Sequence, residues 1–383
     1  MTAKSAPGGR ILFADNLRGV AALSVVCFHF LGEFWAHPGV IAQLTGLPPL
    51  PAGIHPFAPA APSAFFRLGG FGVALFFLIS GFVIPLSLAS RPVAGFLAGR
   101  ALRIWPTYIA GSAVTLAALA WAGGMWPVSG RALAAHLFFV RDIFGIPSFD
   151  GIVWTLEIEV KFYLLCALLS PWIRRGRTAP LLACAAGLAL ADIGFRFLDG
   201  HGFWAGRLAY AAALMDLDTR NLCFMFIGTV LSFSYRGQIG RMFSVRAILL
   251  LWSLYAILTL TGRSGAQAEI ISYFAAASLF AACYAARAHI PQIGLLRGLA
   301  AISYPLYVIH GITGYVVMDM LLARGASSVA AAGAAGLTSL ILAVILHYLV
   351  ENPTHALGRR VMRGLADRPA GRTGESLSIA PIS

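Results

Sequence analysis

Charge is scarce in this chain. Only 11% of its 383 residues are Asp, Glu, Lys or Arg, against 59% apolar residues and a mean hydropathy of +0.80. Such a composition excludes a soluble globular domain. Paired cysteines are also missing: Cys27, Cys166, Cys184, Cys223 and Cys283 all fall inside apolar runs without CxxC spacing. They read as small buried hydrophobes, not as disulfides or metal ligands. There is no GxSxG, Walker loop or HExxH, so the residue sets of serine hydrolases, ATPases and zinc peptidases are absent and no metal site is expected. No internal repeat and no appended soluble domain is found.

What the sequence does contain is a series of apolar runs, each long enough to cross a hydrocarbon core of about 30 Å. Ten spans are expected, near residues 15–34, 70–89, 104–122, 152–172, 179–198, 218–235, 247–262, 268–286, 299–321 and 329–349. The fold class is therefore an all-α polytopic membrane bundle. The first run lacks a convincing cleavage site and is taken as a retained span. The net charge of +13 reflects topology before it reflects any nucleic-acid partner, and none is expected. With a cytoplasmic N-terminus, Arg174, Arg175, Arg177, Arg236, Arg241, Arg246 and most other cations fall on inner segments, which places both termini in the cytoplasm. Residues 1–14 form an inner N-terminal segment, 15–353 the membrane domain and 354–383 a cytoplasmic tail whose last twenty residues are expected to be disordered. Seven prolines between Pro38 and Pro62 predict an outer loop. RALAAHLFFVRDIFG (Arg131–Gly145) is too short and charged to span, and suits an interfacial or re-entrant outer helix. The segment 187–217 is interrupted by Asp192, Arg196, Asp199, Arg207 and Asp216, which makes its spans the hardest to place.

Ionisable groups inside a bilayer are costly and draw attention to function. Arg18 and His29 are eleven residues apart on one helix, a rise of roughly 16 Å and about three turns, so they share a stripe. Arg18 alone could snorkel beside Asp15, and His29 alone could be an interhelical hydrogen bonder. Arg100 and Arg103 stand one turn apart at an inner helix edge, a spacing that suits a phosphate or ordinary anchoring. In the fourth run, Glu157 and Lys161 are spaced for an i,i+4 ion pair. Glu159, on the face of Tyr163, is left to orient a histidine or take a proton. Ser303, Tyr307 and His310 form one polar stripe around Pro305, as a cavity wall would. Glu351 is expected to cap or to pair with a nearby Arg.

These blocks, LRGVAALSVVCFH, GVALFFLISGF, RALRIWP, WTLEIEVKFY, ISYPLYVIH and ENP, resemble the acyltransferase 3 family of integral membrane O-acyltransferases from Asp15 to Pro353. Ala74 stands where the family usually has an acidic residue, so no role is carried over to it. The resemblance implies transfer of an acyl group, most often acetyl, from cytoplasmic acyl-CoA to a hydroxyl of an acceptor, most often an envelope or exported glycan, in a bacterial inner membrane. No permanently bound cofactor is implied. Arg18, Arg100 and Arg103 would then hold the donor's phosphates while the pantetheine arm follows the helix to His29. His29 would act as general base, or through an acyl-histidine, with Glu159 holding its tautomer. Tyr163, Ser303, Tyr307 and His310 would line the substrate site. The rival reading is a transporter or flippase of a lipid-linked or anionic glycan, with His29, Glu159 and His310 on the translocation path.

Overall fold

The computed structural model describes residues 11–49, 62–123, 129–202, 206–262 and 267–366. It is all-helical, with no strand among the described residues. In chain order the helices are α1 (Leu12–Phe28), a π-helical turn (His29–Glu33), α2 (Phe34–Ala36), α3 (Pro38–Thr45), α4 (Pro62–Ala89), α5 (Val93–Trp121), α6 (Gly130–Leu137), α7 (Val153–Leu168) and α8 (Ser170–Arg174). There follow α9 (Ala179–Gly200), α10 (Arg207–Tyr235), α11 (Arg241–Thr261), α12 (Gln267–Ala285), α13 (Gly294–Ala323), α14 (Ser328–Leu346), a second π-helical turn (His347–Glu351) and α15 (Asn352–Ala366).

Among the described residues, seven stretches are long and apolar enough to cross a membrane: Leu12–Ala36, Arg67–Ala89, Val93–Trp121, Ala179–Gly200, Arg241–Thr261, Gly294–Ala323 and Ser328–Arg360. The remaining expected spans are also helical, but each falls short for a physical reason. α7 has 16 residues and carries Glu157, Glu159 and Lys161. α10 carries Asp216, Asp218 and Arg220 in its first half. The apolar part of α12 is the short stretch Glu269–Ala285.

α1 is central, packed between α4 and α13; α4 also packs on α10 and α12, and α13 on α14 and α5. Two close approaches set where α1 lies against α13. A Cβ on Gly19 would meet the Leu296 carbonyl oxygen at 2.4 Å, and one on Gly314 would meet the Phe30 ring at 2.4 Å. Small residues at such crossings let helix backbones approach in a bilayer, where no hydrophobic force draws helices together. The N-terminal end of α1 is pinned as well, since Asn16 Nδ2 donates to the Pro291 carbonyl at 2.9 Å.

Several expectations are corrected. Pro38 starts helix α3 instead of loop; at the first helical position its missing N–H costs nothing. Residues 50–61, like the expected disordered tail beyond 366 and residues 1–10, lie outside the described residues. The tail from 354 begins as a helix, α15, which packs on α5. In the segment 187–217 the charges neutralise one another: Arg196 bonds both Asp192 and Asp216, and donates to Thr261 Oγ1 at 3.1 Å. This lets α9 and α10 run on as long helices. Glu157 does not pair with Lys161. It accepts from Nη2 and Nε of Arg141, at 2.6 Å and 3.0 Å, while Lys161 bonds Asp142 and Asp218. The buried Arg141–Glu157 fork therefore ties the α6–α7 connection inward. In the same connection, His136 Nε2 accepts the Phe149 N–H at 3.2 Å. Burial pushes its imidazole down, which keeps that lone pair unprotonated.

Candidate active site

The start of α7 is set by Asp150, whose Oδ1 accepts the backbone N–H groups of Ile152 and Val153 at 3.1 Å and 3.0 Å. Tyr108 donates to its other oxygen at 2.8 Å, tying this helix start to α5. Nearly two turns into α7, Glu159 reaches a cavity of about 70 Å³, the inner one under the expected topology, which it lines together with Arg18, Ser80, Arg103, Ser303 and Tyr307. Glu159 Oε1 accepts from Ser80 at 2.9 Å and from the Tyr163 hydroxyl at 2.5 Å. The Arg100 guanidinium in turn lies 5.5 Å from the Tyr163 ring centre. Arg18 is 3.9 Å from Asp15 and within electrostatic reach of Arg103, Glu159 and Arg100. Arg103 makes no ion pair or hydrogen bond with any described residue. Three guanidiniums against two carboxylates leave an excess of positive charge at this end of α1.

Farther along the same helix, the π-helical turn carries His29 into a second cavity of about 490 Å³, the outer one under the same expected topology. Single π turns are frequent at functional sites, because the extra residue redirects a side chain. His29 Nδ1 and the Tyr315 hydroxyl share a hydrogen bond. The His310 ring meets the His29 ring edge-on, with centres 4.8 Å apart. His310 Nδ1 faces the Leu306 and Tyr307 carbonyls at 3.0 Å and 2.8 Å and so carries its proton, leaving a buried, unpartnered Nε2. Around His29 the cavity is lined by Phe28, Glu33, Asp150, Trp154, Tyr273 and Tyr307, an aromatic and acidic wall. Tyr307 and Val73 line both cavities, so the two abut across these side chains. The Tyr307 hydroxyl is fixed to Thr155 Oγ1 at 2.7 Å.

The sequence-derived residues thus divide between two compartments. Arg18, Arg103, Glu159 and Ser303 line the inner one; His29 lines the outer one, with the His310 ring against it; Tyr307 lies between. Arg100 and Tyr163 sit behind Glu159. The expected contact between Glu159 and His29 is not made: both bonds of Glu159 go to Ser80 and Tyr163, because α7 presents it toward the arginines. Tyr163 is correspondingly a partner of Glu159. Glu351 pairs with His347 at 2.6 Å, not with an arginine. The sequence reading missed Tyr315 and Glu33. Glu33 was detectable as the residue four beyond His29, whereas nothing in the sequence joins His29 to a tyrosine on α13.

Comparison with known proteins adds an independent line. The acyltransferase 3 family model, described as an acyltransferase domain, matches residues 11–348. "Acyltransferase MdmB" of Streptomyces mycarofaciens is 30% identical over 345 residues, 81% of this chain and 86% of its own. "Exopolysaccharide production protein ExoZ" of Rhizobium meliloti (strain 1021) is 29% identical over 80% of this chain and 96% of its own. "Nodulation protein 10" of Rhizobium leguminosarum bv. viciae is 28% identical over 66% and 73%. No solved structure matches.

Proposed function

The chain belongs to the acyltransferase 3 family of membrane O-acyltransferases, and from that premise we propose that it moves an acyl group, acetyl first, from cytoplasmic acyl-CoA to a hydroxyl of an envelope or exported glycan. The reading rests on one observation: a single helix brings Arg18 to a small basic cavity and His29 to a large aromatic one, and the two cavities share Tyr307 and Val73. About 16 Å of helix rise separates Arg18 from His29, which matches an extended pantetheine arm with its phosphates at the arginines and its thioester at the histidine. The aromatic and acidic wall of the outer cavity suits a sugar, whose faces stack on rings while its hydroxyls bond carboxylates. The name of the exopolysaccharide-production relative points the same way.

In this mechanism His29 Nδ1–H donates to the Tyr315 oxygen, so that Nε2 offers its lone pair to the outer cavity. Nε2 takes the acceptor hydroxyl's proton as that oxygen attacks the thioester carbonyl. The carbon–sulfur bond breaks, and the imidazolium returns its proton to the departing thiolate, releasing free coenzyme A. Tyr315 positions the ring and holds the tautomer, the third-group role seen when a base is oriented for its task. Glu159 balances the inner guanidiniums instead of contacting the reacting atoms. Crossing requires a multi-pass chain, for which we propose ten spans with both termini cytoplasmic, in a bacterial inner membrane.

The test is mass spectrometry of envelope glycans and secreted metabolites from cells with and without the protein, paired with purified protein and radiolabelled acetyl-CoA. An acyl mass increment that depends on the protein, and label that leaves coenzyme A for the same product, are expected. A glycan that changes side of the membrane with no acyl increment would replace this reading with transport.

A further inference from the structure

α15 lies on α5 at the turn that carries the two inner arginines. The contact is local and close: a Cβ on Gly358 would touch the Leu102 side chain at 3.5 Å, and Leu102 stands between Arg100 and Arg103 in sequence. The neighbours of Gly358 on α15 bring further basic groups to this place. His355 is within electrostatic reach of Arg103, Arg359, His347 and Arg100. Its Nε2 is buried without a hydrogen-bond partner. Arg359 is exposed and, like Arg103, makes no ion pair or hydrogen bond with a described residue. The carboxylates at this end of the bundle are already engaged: Glu351 with His347, Asp15 with Arg18, and Glu159 with Ser80 and Tyr163.

Like charges gathered with so little neutralisation repel one another, and a bound anion reverses the sign of that energy. A buried imidazole nitrogen without a hydrogen-bond partner carries a further penalty, which an anion's oxygen relieves in the tautomer that protonates it. Position identifies which anion. The Arg18–Arg103 cavity abuts the His29 cavity across Tyr307 and Val73, so a donor whose thioester reaches His29 has its pyrophosphate at the Arg18 end. What remains farther out, on the side that α15 covers, is the ribose with its 3′-phosphate.

We propose that His355 and Arg359 of α15, together with Arg103, bind the 3′-phosphate of the coenzyme A donor, so that the helix following the membrane domain is part of the donor site. This rests on the acyl-CoA reading given above. Arg359 would form the charge-assisted contact, with its guanidinium fork on two phosphate oxygens. His355 would donate from Nε2 once the neighbouring side chains shift around the anion.

The experiment measures binding of coenzyme A and of 3′-dephospho-coenzyme A to the full-length protein in phosphatidylcholine nanodiscs, by calorimetry. It compares wild type, Arg359→Gln, His355→Gln and the α15 neighbour Arg360→Gln. Arg359→Gln is expected to weaken coenzyme A by roughly tenfold or more while leaving dephospho-coenzyme A unchanged. His355→Gln should act in the same direction, and Arg360→Gln on neither. Thermal melts of each variant without nucleotide separate a folding defect from a binding defect. Equal weakening of both nucleotides, or no weakening in a folded Arg359→Gln protein, would overturn the assignment. An Arg359→Gln effect confined to nanodiscs containing phosphatidylglycerol would instead assign the phosphate to lipid headgroups, also against the proposal. If wild type binds neither nucleotide, the donor reading itself fails and this proposal falls with it. Normal wild-type binding with indifferent variants rejects the α15 site alone.

Discussion

His29 and Tyr315 stand 286 residues apart in sequence and share a hydrogen bond between the imidazole Nδ1 and the phenol hydroxyl. The bond joins the π turn after α1 to the C-terminal third of α13, and it leaves the other imidazole nitrogen as the one available to the outer cavity. His29→Ala is expected to lower the transfer rate by about 10²–10⁴-fold, the usual contribution of a positioned base, with expression and melting temperature close to wild type. Tyr315→Phe removes one hydrogen bond, worth about 1 kcal/mol, and should lower kcat by roughly fivefold with KM for the donor unchanged. A full loss in Tyr315→Phe would make the hydroxyl a participant instead of a positioning group. Steady-state assays on both variants decide this.

His310 separates a wall residue from a reacting one. Its Nδ1 proton is committed to α13 carbonyls and its Nε2 is buried, so it has no free donor or accessible acceptor for a substrate. His310→Ala should therefore reduce activity much less than His29→Ala in the same assay. Equal loss in the two would make the histidine pair the catalytic unit.

The buried Arg141–Glu157 fork should govern stability. Removing one partner leaves an uncompensated charge in a dry site, a cost of about 3–5 kcal/mol. Glu157→Ala should melt well below wild type, and the double variant Arg141→Met with Glu157→Leu should recover much of the difference. Thermal melts of the two proteins provide the comparison; equal losses would mean that the connection owes its placement to other contacts.

The membrane character, the helix positions and the two ends of the Arg18–His29 stripe were legible because each depends on local pattern: run length, hydropathy and a fixed rise per residue. Partner choice was not. Glu157 has Lys161 at ideal helical spacing, yet Arg141 wins because the α6–α7 connection folds inward and buries both groups, where a bidentate fork far outweighs a surface i,i+4 pair. Glu159 and His29 were joined on chemical grounds, but the rotation of α7 turns Glu159 to Ser80 and Tyr163. Pro38 was read as a loop signal, although as the first residue of a helix it is compatible with α3. In each case the deciding information lies in tertiary packing.

Span number has a direct readout. Ten spans place a reporter inserted after Gly46 outside and one fused after Arg360 inside, on opposite sides of the membrane. Seven spans would put both on the same side. Paired periplasmic and cytoplasmic reporters at these two sites are expected to report opposite sides.

The central claim is that α1 separates a phosphate-binding end from a reacting end, and donor saturation kinetics of Arg103→Gln beside His29→Ala test it most directly. A phosphate contact holds ground state and transition state alike, so Arg103→Gln should raise the donor KM by roughly ten- to a hundredfold with kcat near wild type. His29→Ala should show the inverse, a collapsed kcat with donor KM little changed. A fall in kcat at unchanged donor KM in Arg103→Gln would contradict the account, because it would put that arginine at the reacting atoms and leave the donor's phosphates elsewhere.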